Sequence, residues 1–300
     1  FSTVLMLGVP ARLAGCPHIV LATPPAVDGG VHPAILYAAQ ACGIDRVYKA
    51  GGAQAIAALA YGTEALPHVY KIFGPGNQYV TAAKQLVALE GVAIDMPAGP
   101  SEVLVVADGG CPPAFAAADL LSQAEHGPDS QVLLICQSPE VAQAIVQETE
   151  RQLAALPRAE VARQALAQSR AVVLPRREDL LDFVNAYAAE HLILATADAD
   201  ALAEGIHTAG SVFLGYYSPE SVGDYASGTN HTLPTNGAAR AYSGVSLDSF
   251  VKKITYQRLS PEGLLALGPA VEAMAAAEQL AAHKRAVSQR LAALRASAQP

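Results

Sequence analysis

Short β-rich runs alternate with helical segments along most of this chain. Strands are predicted at 19–22, 47–48, 69–73, 92–96, 103–107, 132–135, 171–174, 192–195 and 212–214. Helices are predicted at 1–16, 33–40, 52–61, 78–89, 113–126, 139–156, 178–188 and 199–207. Strands that alternate with helices of about ten residues predict βαβ units and a mostly parallel sheet covered on both faces. The predicted fold class is therefore α/β.

The alternation stops after residue 214. Residues 215–246 are rich in Gly, Pro, Ser, Thr, Asn and Tyr, and so long an irregular stretch in a compact chain predicts a binding loop or a disordered one. Its Tyr and Asp content favours binding. Helix-forming residues return at 261–296, in two pieces. We therefore expect an α/β domain at 1–107, a second at 108–246 and a helical C-terminal extension at 247–300.

Charge and hydropathy exclude several classes of partner. The 300 residues carry 19 basic and 27 acidic side chains, a formal charge of −8, which offers no basic stripe for nucleic acid. No apolar run approaches the roughly 20 residues of a membrane span, and no signal segment opens the chain, so a cytoplasmic location is expected. The four cysteines lie far apart in apolar runs, which favours reduced core thiols over disulfides or a nucleophile.

Gln123 and His126 stand three residues apart just before Gly127-Pro128 ends a predicted helix. Side chains at this spacing share one face, which can hold a metal ion. Imidazole is a common zinc ligand, but a carboxamide oxygen is a less usual one. Taken alone, the pair is explained more simply as a helix C-terminus with a histidine at the negative end of the dipole.

Two Gly/Pro turns follow predicted strands. The turn Phe73-Gly74-Pro75-Gly76-Asn77 precedes a helix, where glycines allow close backbone approach and a helix N-terminus can receive phosphate. The Gly-x-Gly-x-x-Gly fingerprint is absent, so a tight structural turn and a pyrophosphate loop both remain open. In the second turn, at 96–102, Ser101 either bonds a polar substrate group or closes the turn.

Glu190-His191 places a carboxylate and an imidazole side by side just before a strand. At such an element boundary both side chains can line one cleft, as a general base and a water activator. A solvated Glu beside a partly buried His is the alternative.

Two more acid–imidazole combinations lie further along the chain. Asp224 offers a hard carboxylate and His231 an imidazole within the irregular stretch, and both suit a metal. Glu278 and His283 stand five residues apart on the final helical segment. Because residues at this spacing are not stacked neighbours, a plain surface face is the simpler interpretation of that pair.

Together these stretches resemble the histidinol dehydrogenase family over essentially the whole chain. The segments that carry the resemblance are 51–57, 73–77, 95–102, 120–130, 190–192, 218–231 and 277–284. Such a set in this order is highly specific. The resemblance implies an NAD-dependent, zinc-dependent enzyme that oxidises L-histidinol to L-histidine through L-histidinal, the last steps of histidine biosynthesis.

The resemblance also implies which residues form the site. One zinc ion per subunit would be held by Gln123, His126, Asp224 and His283. Substrate would be bound by these four ligands and by Ser101, His191 and Glu278. NAD would contact Gln54 and Asn77. Glu190 and His191 would be the catalytic acid/base pair.

The implied fold is similar to that of aldehyde dehydrogenases, with two incomplete Rossmann-like domains. The resemblance implies that the domain at 1–107 contains turns that contact the cofactor and that the domain at 108–246 contains most of the zinc and catalytic site. The resemblance further implies a homodimer in which the extension at 247–300 crosses over, so that each site takes its His283-type ligand from the partner subunit. A related dehydrogenase of another amino or sulfonated alcohol, and an inactive zinc-stabilised module, are the alternatives.

The sequence departs from the family pattern in two places. The chain opens at Phe1 without an initiator Met, and the resemblance implies roughly 130 further residues before it, about one domain in length. That region would contribute part of the first α/β domain and a tyrosine that contacts the cofactor. Ala188-Ala189 stands where Gly-Pro often precedes the Glu-His pair, which removes a fixed turn and keeps both functional groups.

Overall fold

The computed structural model describes residues 1–96 and 99–297 and divides the chain into two compact units, Phe1–Val251 and Lys252–Pro300. The elements before residue 97 are α1 (Ser2–Leu13), β1 (Val20–Ala22), α2 (Pro33–Ala41), β2 (Arg46–Tyr48), α3 (Gly52–Tyr61), β3 (Lys71–Ile72), α4 (Gln78–Leu89) and β4 (Ala93–Ile94). Their strands form two separate parallel pairs, β1–β2 and β3–β4. The strands predicted at 69–73 and 92–96 are shorter than expected.

A five-stranded parallel sheet forms the centre of the first unit. Its elements are β5 (Glu102–Ala107), α5 (Pro113–Ala124), β6 (Gln131–Cys136), α6 (Pro139–Leu153), α7 (Ala159–Ala167), β7 (Arg170–Val173), α8 (Arg177–Tyr187), β8 (His191–Ala195), α9 (Ala199–Ala203) and β9 (Ser211–Leu214). The strand order is β7-β6-β5-β8-β9. The direction of winding therefore reverses at β5, which lies between β6 and β8.

Both faces of this sheet are covered, as predicted. Val103 and Val105 of β5 belong to an apolar cluster with side chains of α5, α6 and α7, while Leu104 and Val106 belong to a second cluster with α8 and α9. All six residues of β5 are buried. Because successive strand residues face opposite sides, a strand buried on both sides is typically a nearly continuous apolar run, as residues 103–107 are after Glu102. The α/β prediction is confirmed.

Two α-helices of the structure were not predicted from the sequence. One is α7, which lies between α6 and β7. In the stretch predicted to be irregular, residues 220–225 form the short helix α10 (Glu220–Tyr225), which packs against α5. Its glycine, Gly223, lies against Phe213 of β9, where an added Cβ would stand 2.5 Å from the ring. The short helix therefore needs glycine there to approach the sheet.

The second unit consists of α11 (Pro261–Ala277) and α12 (Ala281–Ser297), which pack on each other. Gly268 of α11 faces Leu291 of α12, where a Cβ would meet the leucine side chain at 2.7 Å. Ser260 caps α11 by accepting a hydrogen bond from the Gly263 amide at 3.1 Å. The two helical pieces predicted at 261–296 are confirmed.

The predicted division into three domains remains a prediction, although one of its boundaries needs correction. The predicted first domain ends with β5, but β5 pairs with β6 and β8 in the middle of the five-stranded sheet. A boundary after residue 107 would cut this sheet, so the second α/β segment begins before Glu102.

Within the described residues, no helix is both long and apolar enough to span a bilayer.

A buried ion pair anchors the turn that follows β3. Lys84 of α4 contacts Asp95, and their side chains are 5% and 2% exposed. Asp95 Oδ2 accepts a hydrogen bond from the Gly74 amide at 2.8 Å, and Lys84 Nζ donates to the Gly74 carbonyl at 2.9 Å. The amide and the carbonyl of Gly74 are thus each hydrogen-bonded to one member of the ion pair. The 73–77 turn is therefore fixed to the element that follows it.

The turn before β8 contains a strained residue. Ala188, fully buried, ends α8 in the left-handed conformation with φ 57° and ψ 58°. The next two carbonyls accept hydrogen bonds from the neighbouring segment, Ala189 from the Gly210 amide at 2.8 Å and Glu190 from the Ser211 amide at 2.9 Å. A non-glycine residue in this conformation costs about 1 kcal/mol. The surrounding bonds hold Ala188 there.

We predict that Lys84→Met lowers the free energy of unfolding by about 3–5 kcal/mol, because it leaves Asp95 buried without its cation. Urea unfolding followed by circular dichroism measures this. Lys84→Met/Asp95→Asn should recover part of the loss. The control is Arg163→Met, which breaks an exposed pair with Glu160 and should cost less than about 1 kcal/mol. Equal effects of both single substitutions would contradict the prediction.

We predict that Ala188→Gly raises the free energy of unfolding by up to about 1 kcal/mol, because glycine adopts positive φ without a Cβ clash. The greater freedom of glycine in the unfolded chain offsets part of this gain. Ala154→Gly is the matched control, since Ala154 ends α6 at φ −62° and should lose stability instead. A loss in both variants would show that Ala188 is not strained.

Candidate active site

A cavity of about 240 Å³ lies where β5 and β8 begin. Several of the predicted site residues line it: Ser101, Gln123, His126, Glu190, His191, Asp224 and His231. Parallel pairing of the two strands sets Val103 opposite His191, so the backbone of Glu102 lies beside the Glu190-His191 pair. Because α5 runs back from the far end of β5, its last turn returns to the same edge of the sheet.

Gln123 is fully buried, and neither its amide oxygen nor its amide nitrogen has a hydrogen-bond partner in the described structure. His126 is exposed and lies in the turn after α5, where its amide donates to the Gln123 carbonyl at 3.2 Å. The helix α5 ends at Ala124, two residues earlier than predicted, but the turn that follows it still brings both side chains to the same cavity. A buried amide without partners is costly, which indicates that a ligand completes it.

Glu190 is held by the backbone of the neighbouring strand. Its Oε2 accepts a hydrogen bond from the Glu102 amide at 2.9 Å. Burial is the main cause that raises the pKa of Glu190 to about 8, and the nearby carboxylates of Glu102 and Asp224 act in the same direction. The side chain therefore keeps its proton near neutral pH until a positive charge or a change in solvation lowers that pKa.

His191 is 4% exposed and has acceptors grouped around one ring nitrogen. Its Nδ1 lies 3.3 Å from the Glu102 carbonyl, 3.6 Å from Glu190 Oε2 and 3.7 Å from Glu220 Oε1. These acceptors assign the proton to Nδ1 and leave Nε2 as the free base. Nε2 has no hydrogen-bond partner in the described structure and lies 3.9 Å from Asp224 Oδ1.

The charge state of His191 follows from its surroundings. Burial lowers the pKa of the imidazole to about 4, so the ring is neutral at pH 7. A neutral imidazole with an unpartnered Nε2 at a cavity wall is suited to accept a proton. Cys111 and Cys136 are poor candidates for nucleophiles, since burial raises the pKa of Cys111 to about 11 and that of Cys136 to about 12.

Helix α10 brings two carboxylates into the cavity. Glu220 and Asp224 are four residues apart and share one face of the helix. One ligand atom each from His126, Glu220 and Asp224 lie within 4.8 Å of one another, a separation that one metal ion can bridge. Sequence reasoning missed Glu220, although its spacing from Asp224 was the available signal. His231 also lines the cavity, with Nε2 3.2 Å from the Ser2 hydroxyl.

Four predicted site residues are not among those lining this cavity. Gln54 and Asn77 are exposed, and Asn77 Oδ1 caps α4 by accepting from the Tyr79 and Val80 amides. Glu278 and His283 are exposed in the second unit, on either side of the break between α11 and α12. The roles assigned to these residues by resemblance therefore remain predictions.

The chain is similar to known proteins over nearly its full length. The histidinol dehydrogenase family model matches residues 1–291. Histidinol dehydrogenase from Bacteroides fragilis is 62% identical over 295 residues, which cover 98% of this chain and 69% of that protein. The Yersinia pestis enzyme of that name is 58% identical over 98% of this chain and 66% of its own length.

A solved structure gives the same result. The crystal structure of histidinol dehydrogenase from Elizabethkingia anophelis superposes with a TM-score of 0.96 at 60% identity, covering 98% of this chain and 68% of that one. The family model, the sequence relatives and this structure all agree. The chain belongs to the histidinol dehydrogenase family of oxidoreductases.

Proposed function

We propose that this chain catalyses the zinc-dependent, four-electron oxidation of L-histidinol to L-histidine through L-histidinal, with NAD as the hydride acceptor. The observation that carries the proposal is the buried His191, whose free Nε2 faces a cavity beside Glu190 and a set of possible metal ligands. Membership of the family supports the choice of substrate. The activity belongs to the last steps of histidine biosynthesis.

The residues at the cavity fit a zinc ion. His126 offers an imidazole and Asp224 a carboxylate, and the buried Gln123 amide lacks any other partner. We propose His283 from the partner subunit as the fourth ligand, in a homodimer. When bound, zinc would act as a Lewis acid that anchors the imidazole and amino nitrogens of the substrate.

In the first oxidation, His191 Nε2 accepts the proton of the substrate hydroxyl. NAD⁺, when bound, would supply the acceptor for the hydride of the same carbon. This step would give the aldehyde and leave His191 protonated. The acceptors around Nδ1 keep the ring oriented throughout, and the Glu190 and Glu220 side chains lie within 4 Å of the cationic ring.

In the second oxidation, Glu190 acts in its ionised form, which a positive charge in the cavity would favour by lowering its pKa, and takes a proton from a water molecule that adds to the aldehyde to form the hydrate. His191, having released its first proton to solvent, then accepts a hydroxyl proton of the hydrate, and a second NAD⁺ would supply the hydride acceptor. Overall, one alcohol, one water and two NAD⁺ would give one carboxylate, two NADH and three protons. No covalent thiol intermediate is needed.

Cofactor and substrate contacts complete the proposal. Gln54 and Asn77 would contact NAD, while Ser101 and Glu278 would help to bind the substrate. The reversal of strand order at β5 supports a Rossmann-like description of the second α/β segment. The cytoplasmic location is kept as a prediction.

The first test combines metal content with product yield. The wild-type chain should bind one zinc per subunit and give two NADH per histidinol, whereas a simple alcohol dehydrogenase would give one. His126→Ala should lose zinc and activity together, because an imidazole ligand is removed while the core stays intact. Thermal unfolding controls for folding. Stoichiometric zinc in His126→Ala would exclude this ligand, and zinc without turnover would favour an inactive module.

The second test separates the two members of the acid/base pair. His191→Asn should slow histidinol and histidinal oxidation alike, by about 10²–10⁴-fold, because both steps lose their proton acceptor. Glu190→Gln should slow only histidinal oxidation, since water activation is needed there. Stopped-flow NADH formation on each substrate measures both rates. An equally slow alcohol step in Glu190→Gln would show that Glu190 has a shared role.

A further inference from the structure

The buried ion pair of Lys84 and Asp95 takes no part in the proposed proton transfers, although it lies at the wall of the cavity. Asp95 lines the cavity together with Gly74 and Pro75 of the 73–77 turn. Removing two charges from water largely offsets their mutual attraction, so a buried ion pair is a poor source of stability compared with an apolar contact. What such a pair supplies is fixed geometry, because both charges require directed hydrogen bonds.

The hydrogen bonds of the pair reach both Gly/Pro turns of the cavity wall. Asp95 Oδ2 accepts from the Gly74 amide at 2.8 Å, and Oδ1 accepts from the Met96 amide, also at 2.8 Å. Lys84 Nζ donates to the Gly74 carbonyl at 2.9 Å. One carboxylate therefore joins the 73–77 turn to the start of the second turn, and the ammonium group fixes the first turn from α4.

A second set of contacts holds the residues just before Gly74. Phe73 stacks on Phe250, with ring centroids 4.2 Å apart and ring planes at 16°. Lys71 Nζ donates to the Ser249 carbonyl at 2.7 Å. Gly74 itself has φ 134°, a conformation that glycine adopts readily. The turn is therefore fixed through neighbouring residues by contacts with separate segments of the chain.

The part of the turn that is open to a ligand is its backbone. Asn77 Oδ1 accepts from the Tyr79 and Val80 amides, so the first turn of α4 is already capped. A Cβ added to Gly76 would stand 2.4 Å from the Val80 side chain, so glycine is needed for this close passage. Gly76 is exposed. A glycine turn without protruding side chains fits a nucleotide cofactor that approaches the backbone closely.

We infer that Lys84 and Asp95 are positioning residues for NAD. The ion pair sets where the 73–77 turn stands at the cavity wall, and the position of the turn sets the affinity for the cofactor. The inference rests on the proposed function and names the groups that prepare its cofactor site. Both residues act through the amide and the carbonyl of Gly74, so neither has to touch the cofactor. A preformed turn reduces the ordering cost of binding.

The test is the dissociation constant of NADH for the full chain, measured by the fluorescence of bound NADH, with circular dichroism to verify folding. Lys84→Met keeps an unbranched side chain but removes the charge and the donor, and should weaken NADH binding by at least about tenfold. Lys84→Arg keeps a charged donor and should weaken it less. In turnover, the effect should appear in the KM for NAD rather than in kcat.

The double variant Lys84→Met/Asp95→Asn gives the same test if Lys84→Met does not fold, because it leaves no unpaired buried charge. The Gly74 carbonyl still lacks its donor in this variant. NADH binding should therefore stay at least about tenfold weaker than in wild type, even where stability is partly recovered. Full recovery of NADH affinity together with stability would overturn the inference.

The matched control is Ile145→Ala, which destabilises the chain by opening a cavity away from the turn. Ile145 is fully buried in the apolar cluster around α6 and does not line the cavity. Its NADH affinity should stay within about threefold of wild type, because the two places are independent. Equal weakening in Ile145→Ala and Lys84→Met would assign the effect to lost stability and overturn the inference, as would wild-type affinity in Lys84→Met.

A double-mutant cycle with Gly74→Ala tests whether the ion pair acts through the turn. The added methyl group has room, since the nearest atom to it is Leu7 Cδ1 at 4.0 Å, so this substitution strains only the backbone. Lys84→Met/Gly74→Ala should bind NADH within about threefold of the weaker single variant, because both changes displace the same turn. Losses that multiply would mean two independent causes and would contradict the inference.

The binding measurements also separate this inference from the proposed function. NADH binding that depends on Lys84, in a chain that does not oxidise histidinol, would leave the inference standing and refute the activity. Histidinol oxidation with NADH binding that is indifferent to Lys84 would overturn the inference alone. A wild-type chain that does not bind NADH would overturn both.

Discussion

The pairing of β5 with β8 is the interaction on which the rest of the site depends. Its register sets Val103 opposite His191 and thereby brings the Glu102 backbone within reach of both members of the Glu190-His191 pair. The Glu102 amide fixes Glu190, and the Glu102 carbonyl faces His191 Nδ1. A shift of one residue would turn His191 to the opposite face of the sheet. The site can therefore assemble only in the correct register of these two strands.

The cavity beside these strands also contains several acidic side chains. Several carboxyl groups are buried around one neutral imidazole, and the pKa values of Glu190, Glu220 and Asp224 are all raised, mainly by burial. The acidic groups of such a cavity lack compensating positive charges, so the cavity favours a cationic ligand. A divalent ion and an amine substrate are the kinds of ligand that would complete it. Because the groups are shielded from water, their interactions with a cation are stronger than on the surface.

The location of the cavity is unusual for a sheet of this type. Ligands of open α/β sheets generally bind outside the carboxyl ends of the strands, where the strand order reverses. Here the cavity lies where β5 and β8 begin, at the amino ends. The chain returns to this edge through α5, which carries Gln123 and precedes His126, while α10 adds Glu220 and Asp224. Helices that pack back along the sheet thus supply most of the possible metal ligands.

The sequence by itself determined the fold class and most candidate side chains. Local sequence patterns predicted the helices α3 and α4 and the strand β5. The spacing of Glu190-His191 and of Gln123-His126 indicated candidate acid/base and metal-binding groups. Only the tertiary structure decided which groups meet. Glu220 became a candidate because α10 packs against α5, and the free Nε2 of His191 follows from acceptors on other elements. Register, burial and pKa depend on contacts between residues far apart in the chain, which local patterns do not encode.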